Sequence, residues 1–119
     1  MVKLKEIRKV VETEPVAVAT VDTSGNPHVI AVAEARVIDD NKILITDNYM
    51  RQTKENINQN GKISLVVWDK EMKGYNIDGN AKYYDKGEHL DKVKSMKENK
   101  GMPAKGAIVV NVTKIMKSA

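Results

Sequence analysis

The sequence predicts a mainly β protein of the α+β class, in which six antiparallel strands form a small closed barrel flanked by short helices. Three observations lead to this fold class. The 119 residues suit a single domain with one core, here residues 1–119. The predicted strands contain strongly apolar stretches that need burial on more than one side. Tight connections between strands imply antiparallel pairing.

The N-terminal half is predicted to contain one helix and three strands. Apolar residues recur at three- and four-residue spacing over residues 2–13, which predicts an amphipathic helix. Residues 16–21 form an apolar, β-branched strand, and residues 22–26 have the composition of a hairpin turn. A long, mostly apolar second strand then covers residues 28–38. After another tight turn, residues 42–46 return as the third strand.

The C-terminal half is predicted to contain two helices and three strands. The first of these helices runs from about Met50 and ends at Asn60, because the following Gly61 suits a helix C-cap. Gly79 interrupts one strand and marks a bulge or a close approach. The remaining elements are two strands, a helix and a last strand at residues 62–69, 74–84, 88–99 and 107–112, the last continuing towards Ile115.

The composition argues against a nucleic-acid partner. The chain has 20 Lys plus Arg and 16 Asp plus Glu, and the two signs are mixed along the sequence. A solvated surface is therefore favoured over a nucleic-acid interface. One Trp, four Tyr and no Phe also leave few aromatic side chains to stack on bases.

Other classes of function lack the residues that they need. No Cys is present, which excludes disulfides, a thiol nucleophile and thiolate metal sites. His28 and His89 are remote in sequence and have no partner at metal-ligand spacing, so we expect no metal site. No apolar run approaches the ~20 residues of a membrane span, and no apolar segment follows the charged N-terminus. These features predict a cytoplasmic protein without a membrane partner.

A polar corner between the third strand and the next helix carries the strongest functional signal. The apolar residues 43–45 run into Thr-Asp-Asn at 46–48, and the helix opens with Arg-Gln-Thr-Lys at 51–54. A helix N-terminus exposes unpaired N–H groups and suits an anion, and the basic and hydroxyl side chains add donors for a phosphate. The alternative is an ordinary surface helix with Asp47 or Asn48 as N-cap. Basic residues at a helix start are unfavourable without a nearby anion, which supports the phosphate site.

Three stretches of the sequence together resemble one known family. The stretch 17–28 is similar to its first hairpin, and 46–53 followed by Asn56-Ile57 is similar to its phosphate-binding corner. Residues 63–81 resemble the pair of strands that follows. The order and spacing of these stretches resemble the pyridoxamine 5′-phosphate oxidase-like, FMN-binding split β-barrel family, over about residues 10–116.

The resemblance implies an FMN cofactor and a homodimer whose flavin sites lie at the subunit interface. It also implies a flavin-dependent oxidoreductase or electron carrier. Cofactor contacts are expected from the second strand beside the flavin ring, from the end of the third strand, and from the corner that binds the phosphate. Those positions are Ile30, Ala31, Val32, Ala33, Glu34, Ala35, Ile45, Thr46, Arg51, Gln52 and Thr53.

The sequence departs from the family pattern in two places. The family commonly has Lys where this chain has Gln52, so Arg51 or Lys54 would have to balance the phosphate charge. True pyridoxamine phosphate oxidases finish with a segment that carries basic residues and a His for the substrate phosphate. This sequence ends at 117–119 after the last strand, so vitamin B6 oxidase activity is not expected. The alternative function is a non-enzymatic dimeric split barrel that binds haem, deazaflavin or no ligand.

Overall fold

The computed structural model describes residues 2–33 and 35–118. This part of the chain forms seven strands: β1 (Val16–Val21), β2 (Pro27–Val32), β3 (Ala35–Asp39), β4 (Lys42–Asp47), β5 (Lys62–Trp68), β6 (Gly74–Tyr84) and β7 (Gly106–Lys117). It also forms three short α-helices: α1 (Arg8–Thr13), α2 (Gln52–Asn60) and α3 (Glu88–Ser95). Single 3₁₀ turns at Leu4–Glu6 and Lys97–Asn99 precede α1 and follow α3.

The seven described strands pair in the order β2-β1-β5-β6-β7-β4-β3, with antiparallel neighbours throughout. The edge strands β2 and β3 follow one another in the chain, and only residues 33–34 separate them. Three residue steps span at most about 11 Å, so the two edges of the sheet must lie close together. The sheet therefore curls into a barrel, which confirms the predicted fold class.

The prediction of six strands was wrong by one, because the expected strand 28–38 is two strands. β2 pairs with β1 at one edge of the sheet, while β3 pairs with β4 at the other edge. The chain changes partner between Val32 and Ala35. Which strands pair is decided by the whole sheet. Residues 32–35 contain no Gly or Pro that would indicate a break in the strand.

Several predicted boundaries also moved. The expected helix 2–13 starts as a 3₁₀ turn, and the expected helix 88–99 ends at Ser95 because Met96 has an extended backbone. The last strand is longer than predicted, since its C-terminal end pairs with β6 as far as Lys117. The predicted helix end at Gly61 is confirmed by its left-handed conformation.

The barrel interior is apolar and closely packed. Val18, Leu65, Ile77 and Ile108 come from four different strands and have no exposed surface. Alternation along each strand directs these side chains inward, and burial of this kind is the main favourable term in folding. Val11 of α1 joins the same cluster, so α1 closes one end of the core.

The bulge predicted at Gly79 is confirmed, because the register of β6 against β7 shifts between Asp78 and Gly79. A Cβ atom at Gly79 would lie 2.4 Å from the carbonyl oxygen of Asn111 on β7. Since that oxygen belongs to the backbone, Gly79→Ala should push the two strands apart and lower the free energy of unfolding by about 1–3 kcal/mol. Urea unfolding measures this. The neighbouring Asn80→Ala, at an exposed position, should change it by less than about 0.5 kcal/mol.

Candidate functional site

A cleft of about 490 Å³ lies beside the polar corner that follows β4. One side comes from β2, another from the corner, and the third from the segment between α3 and β7. We call this space the β2–β4 cleft. Its lining residues are Ile30, Ala31, Val32, Ala33, Thr46, Asn48, Tyr49, Met50, Glu98, Asn99 and Met102.

Part of the predicted site lines this cleft. Residues 30–33 and Thr46 do so, although they lie far apart in sequence. Ala35 and Ile45 do not: they face each other across the β3–β4 pairing and are 2% and 0% exposed. Both side chains lie in the core. Successive side chains of a strand point to opposite faces, so Thr46 can line the cleft while Ile45 points inward. Glu34 lies outside the described residues, and its predicted place beside the ring stays a prediction.

The predicted phosphate ligands follow directly after the cleft. Arg51 precedes the first residue of α2 and is exposed, as is Gln52, whereas Thr53 is 1% exposed. Within residues 2–33 and 35–118, neither the Arg51 guanidinium nor the Thr53 hydroxyl has a hydrogen-bond or ion-pair partner. The side chains meant to bind the phosphate are therefore not engaged by the rest of the described chain.

The start of α2 also has free backbone donors. The N-cap residue is Arg51, and its side chain makes no capping hydrogen bond. In the described part of the chain, the N–H groups of Gln52, Thr53 and Lys54 meet no backbone acceptor. Such groups carry the partial positive charge of a helix N-terminus and favour an anion.

The interpretation of Asp47 or Asn48 as an ordinary N-cap was wrong. Asp47 Oδ1 accepts a hydrogen bond from the backbone N–H of Met50 at 2.7 Å, before the helix begins. Asn48 Oδ1 accepts one from the N–H of Ala104 at 2.8 Å. Both side chains therefore shape the corner and leave the donors of α2 uncapped.

Gln52 is held by Asn56 of the same helix, and Lys54 contacts Tyr83 of β6. Gln52 Nε2 donates to Asn56 Oδ1 at 2.8 Å, and Asn56 Nδ2 donates to Thr20 Oγ1 at 3.0 Å. The Lys54 ammonium lies 4.9 Å from the ring centroid of Tyr83, at cation–π distance. Of the two cations named to compensate for the neutral Gln52, Arg51 is the one without such a contact in the described structure.

A buried carboxylate at the corner was missed as a functional candidate. Asp47 has no exposed surface. Its Oδ2 accepts a hydrogen bond from the Tyr83 hydroxyl at 2.6 Å and forms an ion pair with the Lys105 ammonium at 3.1 Å. Burial, followed by the hydrogen bond and charge of Asp47, raises the pKa of Tyr83 well above its usual range. The Tyr83 hydroxyl is therefore a protonated donor at neutral pH. No local spacing could have signalled this cluster, because its members come from β4, β6 and the segment just before β7.

The segment between α3 and β7 is tied to the same corner. Asn99 Nδ2 donates to Thr46 Oγ1 at 2.9 Å, and the Lys105 N–H donates to the Asp47 carbonyl at 2.9 Å. Glu98 forms an ion pair with Arg36 of β3. Glu98 and Asn99 line the cleft, so these contacts fix the position of the third side of the cleft relative to β3 and β4.

The cleft combines an apolar side with nearby donors that favour an anion. Its β2 side is apolar, and the uncapped start of α2 follows its polar corner. Among the described residues, no three His, Asp or Glu side chains come close enough to hold a metal ion. None of the helices in the described ranges is both long and apolar enough to cross a membrane.

The fold and the site thus place the chain in a class of protein: small antiparallel barrels that have a cleft beside the N-terminus of a helix. The family model described as pyridoxamine 5′-phosphate oxidase matches residues 4–118. The chain belongs to this family, as the resemblance over residues 10–116 predicted.

Three relatives illustrate the match. An uncharacterized protein of Methanocaldococcus jannaschii is 36% identical over 122 residues, which cover 97% of this chain and 80% of that protein. HupZ of Group A Streptococcus is 29% identical with a TM-score of 0.85, covering 98% of this chain and 94% of that chain. An FMN-binding protein of Syntrophomonas wolfei has a TM-score of 0.79 at 19% identity, covering 98% and 86%, and shares the fold.

Proposed function

We propose that the chain binds FMN in the β2–β4 cleft and acts as a flavin-dependent oxidoreductase or electron carrier. The observation that carries this proposal is the set of unengaged donors where α2 begins, directly beside an apolar cleft. Family membership supports it, and one protein that shares the fold is described as FMN-binding. Vitamin B6 oxidation is not part of the proposal.

The phosphate of FMN would be held by the start of α2. Arg51 supplies a guanidinium, Thr53 supplies a hydroxyl, and the uncapped N–H groups supply backbone donors. Charge-assisted hydrogen bonds of this kind are about twice as strong as neutral ones. Gln52 is neutral and is held by Asn56, so Arg51 would provide the main positive charge against the phosphate dianion.

The flavin ring would lie against residues 30–33 of β2. The exposed side chains there include Ala31 and Ala33, which are small and let a planar ring approach the strand. Because β2 pairs only with β1 among the described strands, its outer edge has free backbone N–H and C=O groups. Backbone N–H groups facing the pyrimidine edge of the ring would stabilise negative charge in the reduced form.

The bound flavin would supply the redox chemistry, while the protein sets its position and its access to solvent. The described side chains of the cleft include one carboxylate, Glu98, which is paired with Arg36. We assign no catalytic acid or base. The structure therefore supports a role in which the chain binds and orients FMN.

We further propose that the chain is a homodimer with the cleft at the subunit interface. Large apolar side chains are exposed around the open side: Tyr49 is 73% exposed, Val29 is 66% exposed and Met102 is 42% exposed. Exposed apolar patches of this kind mark interaction sites. A partner copy would cover them and would enclose the flavin. The cytoplasmic location stays a prediction from the sequence.

Titration of cofactor-free protein tests the proposed function. We expect FMN to bind at micromolar concentration or below, with quenched flavin fluorescence, and riboflavin to bind at least about a hundredfold more weakly because it lacks the phosphate. Haem and a deazaflavin serve as the comparison ligands. Bound FMN should be reduced by dithionite and reoxidised by an added acceptor. Absence of FMN binding together with stoichiometric binding of haem or the deazaflavin would contradict the proposal.

A further inference from the structure

We propose that Asp47 is a positioning residue that couples two sides of the β2–β4 cleft and thereby sets the grip on the cofactor phosphate. One side is the corner at residues 48–51. The other is residues 97–105, which we call the α3–β7 wall. The inference rests on the proposed function and extends it, because none of the predicted ligands includes Asp47 or the wall.

The Asp47 carboxylate is the centre of the arrangement. It is fully buried, its two oxygens accept hydrogen bonds from the Met50 N–H and the Tyr83 hydroxyl, and Oδ2 forms an ion pair with the Lys105 ammonium. A buried carboxylate is tolerated when it is paired and its remaining lone pairs are satisfied, but it becomes costly when one partner is lost. The corner, β6 and the wall are therefore held together by one charge.

Lys105 connects the wall to the corner at several atoms. Besides its contact with Asp47 Oδ2, its ammonium donates to the carbonyl of Met50 at 2.7 Å. Its backbone N–H donates to the Asp47 carbonyl at 2.9 Å. The carbonyl of Met50 and the carboxylate of Asp47 are thus bridged by a single side chain from the wall.

The wall is also held in a conformation that it would rarely adopt alone. Ala104 has a φ of 42° and is 2% exposed. An L-residue with a side chain seldom takes this left-handed conformation, which persists where surrounding contacts enforce it. The Ala104 N–H donates to Asn48 Oδ1 of the corner, and Ala104 also packs in an apolar cluster with Leu44 and Val93. The corner therefore helps to hold the wall in this conformation.

This coupling reaches the ligand from both directions. Asn48, Tyr49 and Met50 line the cleft immediately before Arg51, and Glu98 and Met102 line it from the wall. If the Asp47 charge is removed, the backbone before Arg51 and the opposite side of the cleft both lose their anchor. The phosphate end of the cofactor should be affected most, since Arg51 and the start of α2 follow that backbone directly.

The test compares Asp47→Asn, Lys105→Met and Tyr83→Phe with the control Lys94→Met, which removes an exposed cation of α3 that lies outside the wall. Affinities for FMN and riboflavin are measured by fluorescence quenching below the unfolding temperature of each full-length variant. Asp47→Asn should weaken FMN binding by about tenfold or more and riboflavin binding by less than about threefold. Lys105→Met should likewise weaken FMN binding more than riboflavin binding, and Lys94→Met should leave both affinities unchanged.

Hydrogen exchange in ligand-free protein provides a readout that does not depend on FMN. Asp47→Asn should accelerate exchange in both residues 48–51 and residues 97–105. Equal losses of FMN and riboflavin affinity, or faster exchange in only one segment, would overturn the proposal. If Asp47→Asn does not fold, Lys105→Met and Tyr83→Phe decide by the same criteria. A wild type that binds neither flavin would overturn the proposed function, whereas the exchange result would still decide the coupling.

Discussion

The double substitution Arg51→Ala with Thr53→Ala is expected to weaken FMN binding by about a hundredfold or more. Each hydrogen bond between a charged group and the phosphate contributes ~1.5–3 kcal/mol, and loss of two such bonds corresponds to at least that factor. Neither side chain has a hydrogen-bond or ion-pair partner elsewhere in the described structure, so the fold should lose only the packing of the buried Thr53 side chain. Riboflavin affinity should stay within about threefold of the wild type, because riboflavin has no phosphate to lose.

Lys62→Ala is the matched control for this variant. Lys62 is exposed at the start of β5, beyond the opposite end of α2, and its loss removes the same charge without touching the corner. Both proteins are titrated with FMN and riboflavin, and their thermal unfolding is recorded in parallel. Undiminished FMN affinity in the double variant would show that α2 does not hold the phosphate. A parallel loss of riboflavin binding would show damage to the whole cleft.

Local sequence signals predicted most of the elements of the fold. β1 was predicted with its observed bounds because an apolar, β-branched run is enclosed by Pro15 and the turn that starts at Asp22. The end of α2 was predicted because glycine readily adopts the left-handed conformation that a C-cap needs. Gly61 has this conformation in the structure. The break after Val32 was not predictable in this way, since it depends on which strands occupy the two edges of the sheet.

The predicted residues that line the cleft are 30–33 and Thr46, which the family resemblance brought together. The corner and α2 form one continuous stretch, and the resemblance located it. The roles of Asp47 and Asn48 were misjudged because their side chains suit a helix cap, while their actual partners include Lys105 and Ala104 from a distant segment. Those partners are set by packing of the whole barrel, which no local pattern encodes.

The exposed face of β2 leads to a second large expected effect. Val29 and Ala31 alternate with half-buried residues, so one apolar face of this edge strand points outward. The cleft opens on the same strand and is bordered by Tyr49 and Met102, which are also exposed. A partner copy packed against this face of β2 would bury apolar area and would also close the cleft. The dimer and the cofactor site should therefore depend on the same surface.

Val29→Glu is accordingly expected to dissociate the proposed dimer and to weaken FMN binding with it. Burial of an unpaired carboxylate in each copy costs at least about 3 kcal/mol, which raises the dimer dissociation constant by about a hundredfold or more. Sedimentation equilibrium and FMN titration measure the two effects. Met72→Glu is the control, because Met72 is 74% exposed in the β5–β6 turn and does not line the cleft. A wild type that sediments as a monomer, or a Val29→Glu protein that keeps both dimer and FMN affinity, would refute this interface.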